Sequence, residues 1–192
     1  MASVIGQEFS VGLLAQVVRD PSEDQLLEGL EEAIAERVIE EIPQTSDCYR
    51  FTDAQSRVTL SRELPTSRRE QLHARIAEAL EGLYGVDAEA HAAELAYHLA
   101  EAATASNPQK LARYSLLAGE QALQADKPQE ALEYFERARA AQEGDTPSAG
   151  ASQRTDADTA ALFFGLGRAQ AAALPRHQLA EAVESLRHAF NY

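Results

Sequence analysis

The 192-residue chain contains no tryptophan, a single cysteine, and only six phenylalanines and six tyrosines. Large buried anchors are therefore scarce, and the core is expected to spread thinly along an elongated body. Cys48 has no second thiol to pair with, which excludes an internal disulfide and fits a reducing compartment. No apolar run approaches the ~20 residues that span a bilayer, and no signal peptide precedes the first helix, so the expected location is cytoplasmic. Basic residues are outnumbered 17 to 31, leaving a net charge of −14. Nucleic-acid affinity comes mostly from neutralising phosphates, so binding to DNA or RNA is not expected. Familiar catalytic signatures are missing as well: the chain has no G-x-x-x-x-G-K-[ST], G-x-S-x-G, CxxC or H-E-x-x-H. No catalytic residue, metal or cofactor is expected.

What the chain has in quantity is alanine, a strong helix former that lets helices approach closely. The stretch from Leu111 to Gln142 illustrates this. Leu111, Tyr114, Leu117 and Ala118 fall on one helical face, and Ala131, Leu132, Phe135 and Ala138 on another. Pro128 suits the first turn of the second helix, where its missing N–H costs nothing. Gly119, Ala122, Ala131 and Ala138 are small where two helices have to approach, with Tyr134 and Phe135 filling the space beside them. The stretch resembles a tetratricopeptide repeat, whose period is about 34 residues. The pattern's small residues land on Gly119, Ala131 and Ala138, and an aromatic on Phe135. Ser115 and Glu143 depart from its leading aromatic and closing proline.

The N-terminal part reads differently. Ser10 can cap a short helix, and Ser22 with Gln25 forms a capping box for a longer one. Leu26, Leu27, Leu30, Ile34 and Val38 supply that helix with its apolar stripe. Its outer face carries Glu23, Asp24, Glu28, Glu31, Glu32 and Glu36, a run read chiefly as a solvated surface. Val38–Ile42 and Cys48–Thr52 are β-prone runs around the turn-rich 43–47, which predicts a hairpin within 38–53. Asp53 is placed as the N-cap of the next helix. A helix from Arg68 to Tyr84 should end at Gly85, followed by another from Ala88 to Thr104.

Helix, helix, hairpin is the order of a winged helix. With ASVIGQEFSVGLLAQV, LLEGLEEAIAERVIEEIP and YRFTDAQSRVTLSRELPTSRREQLHARIAEALEGLYG in that order and helices after them, nearly all of the chain resembles the region after the nucleotide-binding module of STAND-type signalling ATPases, bacterial proteins with adenylyl-cyclase, kinase or LuxR-type output domains. The resemblance implies a mainly α fold with a winged-helix-like N-terminal unit and one small β-hairpin, followed by a tetratricopeptide-like array. The expected divisions are 1–64 (winged helix), 65–142 (helical hairpins with one repeat), 143–158 (a flexible loop) and 159–192 (a second repeat). That second repeat echoes the first at Leu166-Gly167, Ala182, Leu186 and Ala189. Its Gly167-to-Ala182 spacing is three residues longer than Gly119-to-Ala131, an excess assigned to the turn at 173–177. One departure bears on function: the family commonly has F-x-H after the hairpin, where this chain has Phe51-Thr52-Asp53. A carboxylate there would repel a phosphate.

The resemblance implies a non-catalytic regulatory or scaffold role, coupling a protein- or effector-binding surface to an upstream ATPase module in cis. The alternatives are a stand-alone tetratricopeptide adaptor and a winged-helix DNA-binding transcriptional regulator, the latter disfavoured by the charge. On the repeat register, a groove for a protein or peptide partner would carry Arg113, Leu116, Glu120, Leu123, Phe164 and Arg168. The last helix, reaching Phe190, Asn191 and Tyr192, is expected to cover an apolar face by self-association or further repeats. His91, Glu94 and His98 share helical spacing, but no ligand from another element joins them. They are read as packing and surface residues.

Overall fold

The computed structural model describes residues 1–18, 22–43, 45, 47–144, 156–173 and 179–191. Among these, the protein is mainly helical with one small three-stranded antiparallel sheet. The chain forms two compact units, residues 1–85 with 101–105, and residues 86–100 with 106–192.

The first unit contains α1 (Ala2–Ile5), β1 (Glu8–Ser10), α2 (Val11–Val17), α3 (Glu23–Ala35), β2 (Ile39–Glu41), β3 (Cys48–Phe51), α4 (Ala54–Arg62) and α5 (Thr66–Tyr84). Helices α2, α3 and α4 start where the caps predict, whereas α5 begins at Thr66, two residues before the expected Arg68, with no side-chain cap. The Ser10 hydroxyl accepts the Leu13 N–H at 3.2 Å. Ser22 and Gln25 exchange both bonds of the capping box, at 3.3 and 3.1 Å. Helix α3 stops when Arg37 turns into the left-handed region (φ 56°) and the Val38 N–H reaches back to the Ala33 carbonyl at 2.9 Å. Gly85, at φ 51°, ends α5 in a conformation that a side chain would resist.

Strands β2 and β3 form the expected hairpin, with Ile39 opposite Phe51 and Glu41 opposite Tyr49. Its turn includes residues 44 and 46, outside those described. The sheet has a third strand that the sequence did not announce. β1 pairs along the other edge of β3, with Phe9 opposite Tyr49. Phe9 stacks on Tyr49 at 6.0 Å between ring centroids and lies 5.8 Å from Phe51, so three aromatics fasten one face. Arg50 stands between Glu8 and Glu40 in the ladder and pairs with Glu40 at 2.6 Å. Leu72, Ile76 and Leu80 form the fully buried stripe of α5.

A 3-10 segment, Gly85–His91, leads from the first unit into the second, followed by α6 (Ala92–Glu101), whose last residue falls to the first unit again. The single helix expected from Ala88 to Thr104 is therefore shorter. The tighter 3-10 turns delay its start, and Ala103, at φ 45°, breaks the ladder after it. Then come α7 (Pro108–Gln124), α8 (Pro128–Gly144), α9 (Asp156–Ala173) and α10 (Leu179–Ala189). Asn107 caps α7 by accepting the Gln109 and Lys110 N–H groups at 2.9 and 3.2 Å, with Pro108 in the first turn. Between α7 and α8, Asp126 takes a left-handed conformation (φ 59°) that lets the Lys127 N–H bond the Ala122 carbonyl at 2.9 Å. Of the expected loop at 143–158, both ends are helical, since α8 runs to Gly144 and α9 begins at Asp156. Residues 145–155 fall outside those described, as do 174–177 of the turn expected at 173–177, whose Ala173 ends α9.

Helices α7 to α10 pack in series. Their core joins Ala122, Ala131, Phe135, Ala138, Leu162, Leu166 and Ala169, with Leu116, Leu123, Leu132, Tyr134 and Phe163 half-buried against it. Phe135 is fully buried. A Cβ built on Gly119 of α7 would stand 2.9 Å from its ring, and one built on Gly165 of α9 only 2.5 Å. The ring is thus held between two glycines on different helices. Gly167 meets Leu186 in a similar way, with a Cβ there 2.7 Å from Leu186 Cγ.

Candidate functional site

Four of the six residues assigned to the groove come together. Glu120 and Leu123 of α7, with Phe164 and Arg168 of α9, line a cleft of about 190 Å³. Gln124, Ala161 and Gly165 complete its wall. Helical spacing puts these added residues there: Gln124 is one turn beyond Glu120, and Ala161 lies one turn before Gly165. The Phe135–Gly165 contact sets how closely α9 approaches, so the core residue that seals the stack also fixes the cleft. Phe164 remains 47% exposed, with the Arg168 guanidinium 5.8 Å from its ring centroid.

The other two groove residues lie elsewhere. Arg113 pairs with Glu89 of the 3-10 segment at 2.6 Å and sits 5.6 Å from the Tyr114 ring. Gln121 reinforces that attachment, donating its side-chain amide to the Glu89 carbonyl at 2.7 Å. Leu116 is half-buried against the core. The register places all six on suitable helices, but Arg113 lies two turns before Glu120 on α7 and pairs there with the 3-10 segment. No sequence period encodes that contact.

The cleft combines apolar and charged surface. Leu123 and Phe164 offer apolar surface, while Glu120 and Arg168 offer charges of opposite sign. Its volume is below the ~300 Å³ lower end of small-molecule pockets. Val183 on α10 and Phe190, just past its end, are exposed.

His91 and Glu94 are exposed, whereas His98 is buried with the Tyr97 ring 5.1 Å away. Among the described residues no group of three or more His, Cys, Asp or Glu side chains is arranged to hold a metal ion. Asp53 accepts the Ser56 backbone N–H at 2.8 Å and the Ser56 hydroxyl. These bonds, the hydroxyl's first, hold its carboxyl below the usual range, as expected for a helix cap. Burial pushes the His73 imidazole below its ordinary 6.5, against an opposing effect from Glu101. Cys48 is half-buried on β3. No helix among the described residues is long and apolar enough to cross a membrane. No family model, curated protein or solved structure matches the chain.

Proposed function

We propose that this chain is a non-catalytic binding and coupling module, whose C-terminal helices form a tetratricopeptide-like array that grips a peptide side chain in the α7–α9 cleft. The observation that carries this reading is the convergence of Glu120, Leu123, Phe164 and Arg168 on that cleft. A repeat architecture is supported by the recurrence of glycine against a large side chain, Gly119 with Phe135 and Gly167 with Leu186. The N-terminal unit, with its hairpin and capped helices, is read as winged-helix-like. On the resemblance to STAND-type ATPases, it would couple the array to a nucleotide-binding module outside this chain. The partner is a protein or peptide presenting an apolar anchor beside polar or charged groups, the anchor meeting Leu123 and Phe164, and the charges meeting Glu120 and Arg168.

Selection from a phage-displayed random peptide library tests the reading. The wild-type protein should enrich peptides sharing one apolar anchor flanked by charge. Ala161→Phe, which fills the cleft, and Phe164→Ala, which removes its exposed ring, should each lose the selected peptides. Arg168→Glu should change the charge preference. Enrichment that survives both cleft substitutions would sink the proposal, as would a failure to enrich any common motif.

A further inference from the structure

Helix α10 carries an apolar stripe that α9 covers only in part. Leu179, Val183, Leu186 and Phe190 follow one another at the alternating four- and three-residue steps of a helix–helix seam. Phe190 lies just past the end of the helix but keeps its course, its N–H donating to the Leu186 carbonyl at 3.4 Å. One edge of the stripe is anchored, because Leu186 packs against Gly167 of α9. Along the other edge Val183 is 56% and Phe190 84% exposed.

The charges beside the stripe are those of a surface that fits a copy of itself. Glu184 and Arg187, one turn apart and both exposed, flank its open edge, and neither forms an ion pair among the described residues. Two α10 helices laid antiparallel, with Val183 of one level with Leu186 of the other, also bring Leu179 level with Phe190. In that register each Arg187 comes within a side chain's reach of the other copy's Glu184, so the ion pair forms twice. A parallel pairing would set Glu184 against Glu184 and Arg187 against Arg187. Two copies that each carry a net charge of −14 repel over most of their surface, whereas this flank balances one acid with one base.

From this we propose that α10 is a self-association surface, on which a second copy of this chain docks antiparallel across a two-fold axis. A helix of 11 residues is a small patch beside the ~1,200 Å² of a standard stable interface, so the dimer is a weak one. The surface is separate from the α7–α9 cleft and stands if the peptide reading fails.

Sedimentation velocity of the full chain, from about 10 µM to about 1 mM, covers the range in which a weak dimer forms and dissociates. The wild type should pass from monomer to dimer and no further. Val183→Glu and Phe190→Ala, both at exposed positions, should each weaken the dimer about tenfold or more, as loss of a central apolar contact does. Arg187→Glu and Glu184→Arg should each weaken it roughly fivefold, since each replaces two attractions with two repulsions. The double exchange of both residues should restore the wild-type affinity. Circular dichroism of every variant at the lowest concentration should match the wild type, because all four positions are exposed. A monomer throughout the range would overturn the surface, as would a dimer that Val183→Glu and Phe190→Ala leave unchanged. Single charge reversals without effect, or a double exchange that fails to restore the dimer, would overturn the antiparallel arrangement.

Discussion

Phe135 in the C-terminal unit has a glycine pressed against its ring from two helices, whereas Gly29 in the N-terminal unit has no atom within 4 Å of an added Cβ. Both glycines at Phe135 and the one at 29 are helical, and all belong to a chain without tryptophan. In the C-terminal unit the missing side chains let helices close on one aromatic ring. In the N-terminal unit the missing side chain borders a cavity of about 600 Å³. A glycine in a helix thus marks either a tight contact or a gap, and only its neighbours decide which.

The largest expected effect breaks the tight side of this contrast. Phe135→Ala should destabilise the C-terminal unit by about 3–5 kcal/mol, the range for emptying a fully buried aromatic site. Hydrogen exchange read by mass spectrometry would report each unit separately, and protection in α7, α8 and α9 should fall while the N-terminal unit is unchanged. A loss spread evenly over both units would mean that the ring is not the local keystone.

Adding one methyl group sharpens the contrast. Gly165→Ala should cost about 1–3 kcal/mol by overpacking, even after the gain in helix propensity. Gly119→Ala should cost less, because its Cβ would stand 2.9 Å from the ring rather than 2.5 Å. The same change at Gly29 should have the opposite sign, stabilising α3 by roughly 0.8–1 kcal/mol, the Gly-to-Ala difference in a helix interior. Urea melts of the three variants give the ranking directly. Destabilisation by Gly29→Ala would mean that the cavity wall is already filled.

The smallest effect involves one proton in the N-terminal unit. Because burial lowers the folded pKa of His73 below 6.5, its neutral form is favoured in the fold. Between the folded value and 6.5 the unfolded chain binds more protons, so the contribution is complete above 6.5 and lost as pH falls through that window. Exchange protection of α5 should decline below pH 6.5, and His73→Gln should flatten the decline. A profile rising toward acid would contradict the sign.

Much of this arrangement is legible in local sequence. The caps at Ser10, Ser22 and Asp53 and the stop at Gly85 are decided within one or two turns, so residue chemistry gives them away. The β2–β3 hairpin is also local. Strand β1 is not: it has three residues, and its partner β3 lies some forty positions further along the chain. The cleft divides in the same way. Glu120, Leu123, Phe164 and Arg168 follow from helical period and the Gly119 register, whereas the pairing of Arg113 with Glu89 depends on how the 3-10 segment lies on α7.

By itself the sequence determined the helical character, the element starts and stops, the acidic surface and the small-against-large pairing of Gly119 with Phe135. These depend on propensity, hydrogen bonds within a few residues, charge and helical period, all of which are written locally. Tertiary structure alone decided that Gly165 would also close on Phe135, that β1 would join the sheet, and that Ser3 would be buried beside an apolar cavity. Each depends on which distant residues become neighbours, and close packing makes the same glycine a contact in one place and an opening in another.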